Sequence, residues 1–160
     1  MQIPLVAAGS LVLVDSSALI YLVEGEASSP RRRAVEGFFA KAALKGARFV
    51  ASTLAWAELL EAPLARGDAP LATRYRSFLS DSSRIVLREV DVAVAEEAAA
   101  LSASLPAARR RSLSTGDLIH IATAIVLGAE AVLTNDEAWR EAPRCPPLLL
   151  VDELAAELEA

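Results

Sequence analysis

Cysteine and histidine are almost absent from this sequence of 160 residues, which contains one of each, Cys145 and His120. A single cysteine excludes an internal disulfide and is typical of a reducing compartment, so we expect a cytoplasmic protein. Zinc sites draw most of their ligands from these two residue types, so a zinc site is poorly supplied. Cys145 lies among prolines, and we expect it to have no chemical role.

Aromatic residues and long apolar runs are also scarce. Aromatics make up 5% of the chain, so few side chains are available to stack on nucleic-acid bases. The run LIHIATAIVLG is about ten residues long, which is too short to cross a bilayer. No Lys or Arg precedes the N-terminal apolar stretch, so we expect neither a signal peptide nor a membrane span.

Positive charge is limited and clustered. The net charge is −5, which argues against a general nucleic-acid-coating protein. Two arginine triplets nevertheless occur, at residues 31–33 and 109–111. Two interpretations are open. Each triplet could be a solvated or partner-binding face, or the two triplets could flank a groove and hold phosphates.

What the sequence does have is an alternation of apolar runs with helical patterns, which is typical of a parallel α/β sheet. Hydrophobic residues make up 54% of the chain, and no repeat, linker or low-complexity tract interrupts it, so we predict a single domain over 1–160. Strands are predicted over 11–15, 48–52, 83–90 and 131–134, with a possible fifth, edge strand in PPLLLVD. Helices are predicted over 16–26, 30–45, 53–62 and 68–78, from 91 to the proline at 106, from 115, near 136 and at the C-terminus.

Four acids lie where this pattern places a ligand site. Asp15 and Asp136 follow the first and fourth strands, Asp117 lies in the first turn of the helix before the fourth strand, and Glu58 lies on the helix after the second. Ligands of open parallel sheets bind beyond the carboxyl ends of the strands, so the four could share one crevice. Each acid has an ordinary alternative: the aspartates could cap helices, Ser114 and Asp117 have capping-box spacing, and Glu58 could be solvated.

An acidic crevice requires charge compensation. Two carboxylates about 4 Å apart repel by roughly 4 kcal/mol at an effective dielectric near 20, so four remain ionised only beside a cation. Oxygen ligands favour Mg²⁺, with Mn²⁺ as the alternative, and such an ion suits the hydrolysis of phosphodiesters. His120 lies one turn after Asp117, but a packed histidine is the more common case, and we assign it no catalytic role.

The ordered set DSSALI, a helical Glu58, STGDLIHIATAIVLGA and VLTND resembles the PIN-domain ribonucleases, most closely the VapC toxins of toxin–antitoxin pairs. The resemblance spans nearly the whole chain, and DLIHIATA followed by a strand and TND is its most specific part. It implies a three-layer α/β/α sandwich around the parallel sheet and Mg²⁺-dependent endoribonuclease activity. It also implies a homodimer, inhibited by a small antitoxin that has a DNA-binding half.

The resemblance also implies roles for individual residues. Asp15 and Asp117 would be the main Mg²⁺ ligands, and Glu58 and Asp136 would complete the acidic set directly or through water. Three small polar residues would hold the pocket in shape, although local capping and turn bonding fit them equally well: Ser17, Thr134 and Asn135. Many relatives carry an aromatic soon after the last acid, and Trp139 is expected to take that packing role. Arg140 or Arg144 would join the triplets in contacting phosphate.

Two other functions remain as alternatives. A catalytically silent PIN scaffold would act through protein contacts alone, although the presence of all four acids argues against it. A phosphatase or phosphotransferase would use Asp15 as its nucleophile. Dehalogenase-like phosphatases need a second aspartate where this chain has Ser17, and a receiver-type domain needs a late lysine, whereas no lysine follows Lys45.

Overall fold

The computed structural model describes residues 6–110 and 112–159. Five strands form one sheet in the order β3-β2-β1-β4-β5, with every neighbouring pair parallel. The strands are β1 (Leu11–Val14), β2 (Arg48–Ser52), β3 (Val86–Arg88), β4 (Ala131–Thr134) and β5 (Leu148–Leu150). The predicted parallel sheet is confirmed, and the fifth run is a strand at its edge.

Seven α-helices and one 3-10 helix are found in the described part of the chain. They are α1 (Ser16–Glu24), α2 (Pro30–Leu44), α3 (Thr53–Arg66), α4 (Ala69–Leu79), α5 (Val92–Ser104), α6 (Thr115–Leu127), α7 (Val151–Glu159) and the 3-10 helix Glu137–Glu141. None of these helices is long and apolar enough to span a membrane.

The core lies in two layers, one on each face of the sheet. Side chains alternate along β1, so Val12 and Val14 belong to a core cluster with residues of α1, α2, α3, α4 and α7. Leu13 belongs to a second cluster, with residues of α5 and α6, on the other face. Strands buried on both faces are near-continuous apolar runs, as LVLV is. The predicted three-layer α/β/α arrangement is therefore confirmed.

Two elements differ from the sequence prediction by more than two residues at one end. β3 has three residues rather than the predicted eight because Asp81 organises a turn before it: the amides of Arg84 and Ile85 both donate to the Asp81 carbonyl. Helix α3 passes through Pro63 and ends only at Gly67, whose φ of 69° is the left-handed conformation that suits glycine at a helix end.

The sheet order determines where a ligand site can form. The chain runs from β1 outward through β2 and β3, whereas β4 and β5 lie on the other side of β1. Strand order thus reverses between β1 and β4. The carboxyl ends of these two strands, where Asp15 and Thr134 lie, border the crevice in which such sheets bind ligands.

Candidate active site

Asp15 follows β1 directly and caps α1. Its Oδ1 accepts a hydrogen bond from the amide of Ser16 at 2.7 Å, and its Oδ2 accepts from the hydroxyls of Ser17 at 2.6 Å and Thr134 at 2.8 Å. The residue is 7% exposed. Donors from both α1 and β4 therefore fix the orientation of this nearly buried carboxylate.

Thr134 connects Asp15 with Asp136. While its hydroxyl donates to Asp15, the same oxygen accepts from the amide of Asp136 at 3.1 Å. Asp136 in turn caps the 3-10 helix by accepting from the amide of Ala138 at 2.9 Å. The amide of the intervening Asn135 donates to the Ser17 hydroxyl at 3.1 Å. Ser17 and Thr134 thus contact Asp15 directly, whereas the side chain of Asn135 bonds Asp152, and a role of the three residues in shaping the site stays a prediction.

Glu58 projects from α3 toward the same end of the sheet. Its Oε2 accepts hydrogen bonds from the hydroxyl of Ser16 and from Nε2 of His120 at 2.9 Å, and 37% of its side chain is exposed. Burial raises the pKa of Glu58, but the hydrogen bonds from His120 and Ser16 outweigh burial and leave the pKa below its ordinary value. The carboxylate is thus ionised at neutral pH.

Gly116 allows α6 to begin beside Glu58. A Cβ atom at this position would lie 3.2 Å from Oε1 of Glu58, a tight contact that glycine avoids. The first turn of α6, which contains Asp117, therefore approaches the Glu58 carboxylate closely.

Asp117 forms a capping box with Ser114 at the start of α6. Its Oδ2 accepts from the amide and hydroxyl of Ser114, both at 2.7 Å. Its Oδ1 accepts from the indole Nε1 of Trp139 at 3.2 Å. Trp139 is 1% exposed, so it takes the packing role expected of an aromatic after the last acid. Trp139 also orients the Asp117 carboxylate through this hydrogen bond, a contact that the sequence did not predict.

His120 is buried beneath these acids. Its Nδ1 lies 3.0 Å from the hydroxyl of Ser52, its Nε2 bonds Glu58, and its ring stacks on that of Trp139 with 6.0 Å between centroids. Burial lowers the pKa of His120, but the hydrogen bond to Glu58 and the negative charges of Asp15, Glu58 and Asp117 raise it above its ordinary value. Three of the four acids therefore act on one buried ring.

The four acids are named here the acidic site, and three of them are linked through neutral residues. Thr134 connects Asp15 with Asp136, and Ser16 connects Asp15 with Glu58. Within residues 6–110 and 112–159, no three His, Cys, Asp or Glu side chains converge closely enough to ligate one ion directly. The donors are all carboxylate oxygens, which suit Mg²⁺. Because Mg²⁺ needs only one or two carboxylates and keeps several waters, the residues fit this ion.

Sequence reasoning missed two serines and gave His120 no role. Ser16 and Ser52 are nearly or fully buried polar residues that contact Glu58 and His120. Ser52 offered one signal, since it ends β2 at the same edge of the sheet where Asp15 follows β1. Ser16 offered none, because its partner lies 42 residues away in the sequence.

Most of the arginines expected to hold phosphate form contacts of their own. Arg31 bonds Asp152 on α7 and lies over the Tyr21 ring. Arg110 donates to two backbone carbonyls, of Leu105 and Ala103. The other pairs are Arg32 with Glu36, Arg109 with Glu141, Arg140 with Glu153 and Arg144 with Glu97. Arg111 lies outside the described residues. Phosphate contact by these arginines stays a prediction.

Comparison with solved structures shows the same fold in toxin–antitoxin assemblies. The chain is similar to VapBC2 from Rickettsia felis bound to promoter DNA, with a TM-score of 0.69, 16% identity and coverage of 88% of this chain and 98% of that one. DNA-bound VapBC from Salmonella typhimurium has a TM-score of 0.64 and 17% identity, with coverage of 89% of this chain and 98% of that one. VapC20 from Mycobacterium tuberculosis, a sarcin-ricin loop cleaving toxin, has a TM-score of 0.59 and 18% identity, with coverage of 76% of this chain and 86% of that one.

Comparison of the sequence itself identifies the family. No curated protein matches it significantly. The sequence model of the PIN domain, however, matches residues 12–144. This span begins within β1 and ends after the 3-10 helix, so it contains all four acids of the acidic site. The chain belongs to the PIN domain family.

Proposed function

We propose that this protein is a Mg²⁺-dependent endoribonuclease and the toxin of a toxin–antitoxin pair. The observation that carries the proposal is the placement of Asp15, Glu58 and Asp117 around the buried ring of His120, at the point where strand order reverses. One structure of similar fold is described as a toxin that cleaves the sarcin-ricin loop, which supports RNA as the substrate class. Mn²⁺ would be the alternative ion.

Asp15 and Asp117 would hold the ion, with Glu58 and Asp136 acting directly or through water. When bound, Mg²⁺ would neutralise the acids and stabilise the negative charge that develops on the scissile phosphate. Asp15 is aimed by Ser17 and Thr134 and needs little reorganisation. Glu58 has a lowered pKa, so it serves as a fixed negative charge better than as a proton acceptor at neutral pH.

The decisive experiment compares Asp15→Asn with Asp91→Asn. Both aspartates cap helices, but Asp91 caps α5 and lies outside the acidic site. We expect the wild type and Asp91→Asn to cleave RNA only with Mg²⁺ or Mn²⁺, and Asp15→Asn to lose about 100-fold in kcat/KM, equivalent to about 2.7 kcal/mol. Induced expression should arrest growth for the first two only. Mg²⁺-independent cleavage, or no cleavage by the wild type, would refute the proposal, and the latter would favour a silent scaffold.

The proposed partner is an antitoxin, which we place in an apolar groove away from the acidic site. The groove has a volume of about 520 Å³ and lies between α1, α2, α4 and the start of β2, with Leu22, Phe39, Phe49 and Phe78 in its lining. Phe39 and Phe49 stack at 4.1 Å between centroids. An apolar side chain of the partner would bury against these rings.

A matched pair of substitutions on α2 tests this placement. Ala43 lines the groove, whereas the neighbouring Leu44 does not and is 89% exposed. We expect Ala43→Arg to weaken antitoxin binding at least tenfold and Leu44→Arg to leave it unchanged, as measured by calorimetry with the product of the adjacent gene. Equal affinities for the two variants would place the antitoxin elsewhere.

We also propose that the protein is a cytoplasmic homodimer. The dimer follows from the resemblance to VapC toxins, and its physical support is the exposure of large apolar side chains, among them Leu64 and Val92 at 57% and 74%. Light scattering across a concentration series tests it, and a monomer at every concentration would refute it.

A further inference from the structure

His120 is the most deeply buried titratable side chain next to the acidic site. The residue is 1% exposed, and both ring nitrogens have partners, Ser52 at Nδ1 and Glu58 at Nε2. A buried imidazole is tolerated when both nitrogens are hydrogen-bonded. Packing alone would be served by an apolar residue at this position, so the choice of a histidine needs a further explanation.

The Ser52–His120–Glu58 arrangement resembles a nucleophile triad in composition but has the opposite orientation. Ser52 is fully buried, so its hydroxyl cannot meet a substrate. Glu58 is the member that reaches solvent, with 37% of its side chain exposed. The chain of hydrogen bonds from Ser52 through His120 therefore ends on the Glu58 carboxylate, and the ring contacts the site only by its bond to Glu58.

The protonation of the ring follows from its partners. A carboxylate only accepts hydrogen bonds, so Nε2 carries a proton and donates to Glu58. The Ser52 hydroxyl donates to Nδ1 when the ring is neutral and accepts from it when the ring is charged. The ring therefore keeps one orientation in both charge states, and Glu58 keeps its donor.

Trp139 fixes the plane of the ring. The two rings lie within 19° of parallel, and the indole Nε1 donates to Asp117. The contact between the two rings thus connects His120, which bonds Glu58, with Trp139, which bonds Asp117.

We infer that His120 is a positioning residue that, together with Ser16, holds the Glu58 carboxylate in the acidic site. This inference rests on the proposed nuclease function, in which Glu58 contributes to Mg²⁺ binding. His120 itself contacts neither substrate nor ion and acts through Glu58.

Two amide variants separate positioning from packing. The side-chain nitrogen of His120→Gln reaches the place of Nε2, whereas that of His120→Asn reaches only the place of Nδ1. Both variants lose the stacking on Trp139. Partners that orient metal ligands typically contribute 10- to 100-fold in affinity or activity. We expect a loss of about 10- to 100-fold in Mg²⁺ affinity and RNA cleavage for Asn, and of less than about threefold for Gln.

A second readout needs neither Mg²⁺ nor RNA. Denaturant unfolding of the metal-free protein is measured for the wild type, Glu58→Gln, His120→Asn and the double variant. We expect the losses of stability to be strongly non-additive, because Glu58→Gln removes the charge of the acceptor and His120→Asn removes the donor of the same hydrogen bond. Glu61→Gln, at an exposed acid on the same helix, should be additive with His120→Asn.

Each result decides a different claim. Equal losses of Mg²⁺ affinity in the Gln and Asn variants, or additive stabilities in the Glu58–His120 cycle, would overturn the positioning role. A wild type that neither binds Mg²⁺ nor cleaves RNA would overturn the proposed function, while the unfolding cycle would still decide whether His120 holds Glu58.

Discussion

Replacing Thr134 by valine removes one hydroxyl at the place where β1 and β4 meet the acidic site. Valine has nearly the shape of threonine, and Thr134 is fully buried, so packing is preserved. The hydrogen bond to the Asp15 carboxylate is lost, and the amide of Asp136 loses its acceptor. A hydrogen bond to a charged group contributes about 1.5–3 kcal/mol, so with the unpaired amide we expect a loss of about 3 kcal/mol.

The matched control is Thr123→Val on α6. Thr123 is also fully buried, but its hydroxyl donates only to the carbonyl of Ile119, one helical turn earlier. A bond of this kind stabilises a helix little, so the control should change the free energy of unfolding by less than about 1 kcal/mol. Both variants lose one buried hydroxyl, but only Thr134→Val removes a hydrogen bond to an acid of the acidic site.

Calorimetry and thermal unfolding measure the two consequences. In a protein of this size, a loss of about 3 kcal/mol lowers Tm by roughly 6–12 °C. Because Asp15 would lose a donor that aims it, Mg²⁺ affinity should fall about tenfold or more. The reasoning is refuted if Thr134→Val matches Thr123→Val in both Tm and Mg²⁺ affinity, since the hydroxyl would then contribute nothing to orienting Asp15.

Three further predictions concern the groups around the ring of His120 and the single thiol. Trp139→Phe keeps an aromatic ring but removes the donor to Asp117, so Mg²⁺ affinity should fall while the fold is retained, as circular dichroism would show. Burial opposes ionisation of Glu58 and His120, but their hydrogen bond leaves the pKa of Glu58 below 4.5 and that of His120 above 6.5. The contribution of the pair to stability is lost as pH falls through the pKa of Glu58 and as pH rises through the pKa of His120. The stability difference between metal-free wild type and His120→Gln should therefore be largest between about pH 4.5 and 6.5. Burial raises the pKa of the Cys145 thiol to about 11, so a thiol reagent at pH 8 should modify native protein far more slowly than unfolded protein.

The strands and the acids could be predicted because their signals are local. LVLV followed by Asp15, and AVLT followed by Asn135 and Asp136, are apolar runs that end in polar caps, and the structure places both at the carboxyl edge of the sheet. The bounds of β3 could not be predicted from its apolar run. Its start depends on the turn at Asp81, and at its end the amide of Val90 donates to the Thr53 hydroxyl on a different helix.

The contacts within the acidic site are long-range, and this is why the sequence did not reveal them. The bond from Ser16 to Glu58 spans 42 residues, and the bond from His120 to Glu58 spans 62. A histidine one turn after Asp117 fits a packed residue as well as a site residue, and the structure shows that His120 is both buried and bonded to an acid. The helical spacing after Asp117 predicts which face of α6 carries His120. Its partner, Glu58, is determined by the packing of α3 against α6.

The donors that orient the acids carry no formal charge, and this supports the proposed cation. Hydroxyls, backbone amides and an indole orient Asp15, Asp117 and Asp136, and none of these donors is a formal positive charge. In the described part of the chain, no lysine or arginine forms an ion pair with any of the four acids. A guanidinium in the crevice would satisfy the carboxylates and compete with Mg²⁺. Because His120 is buried and bonded to Glu58 alone among the acids, most of the negative charge remains uncompensated. Fixed acids with neutral donors therefore favour a divalent cation, which supports the proposed Mg²⁺ dependence.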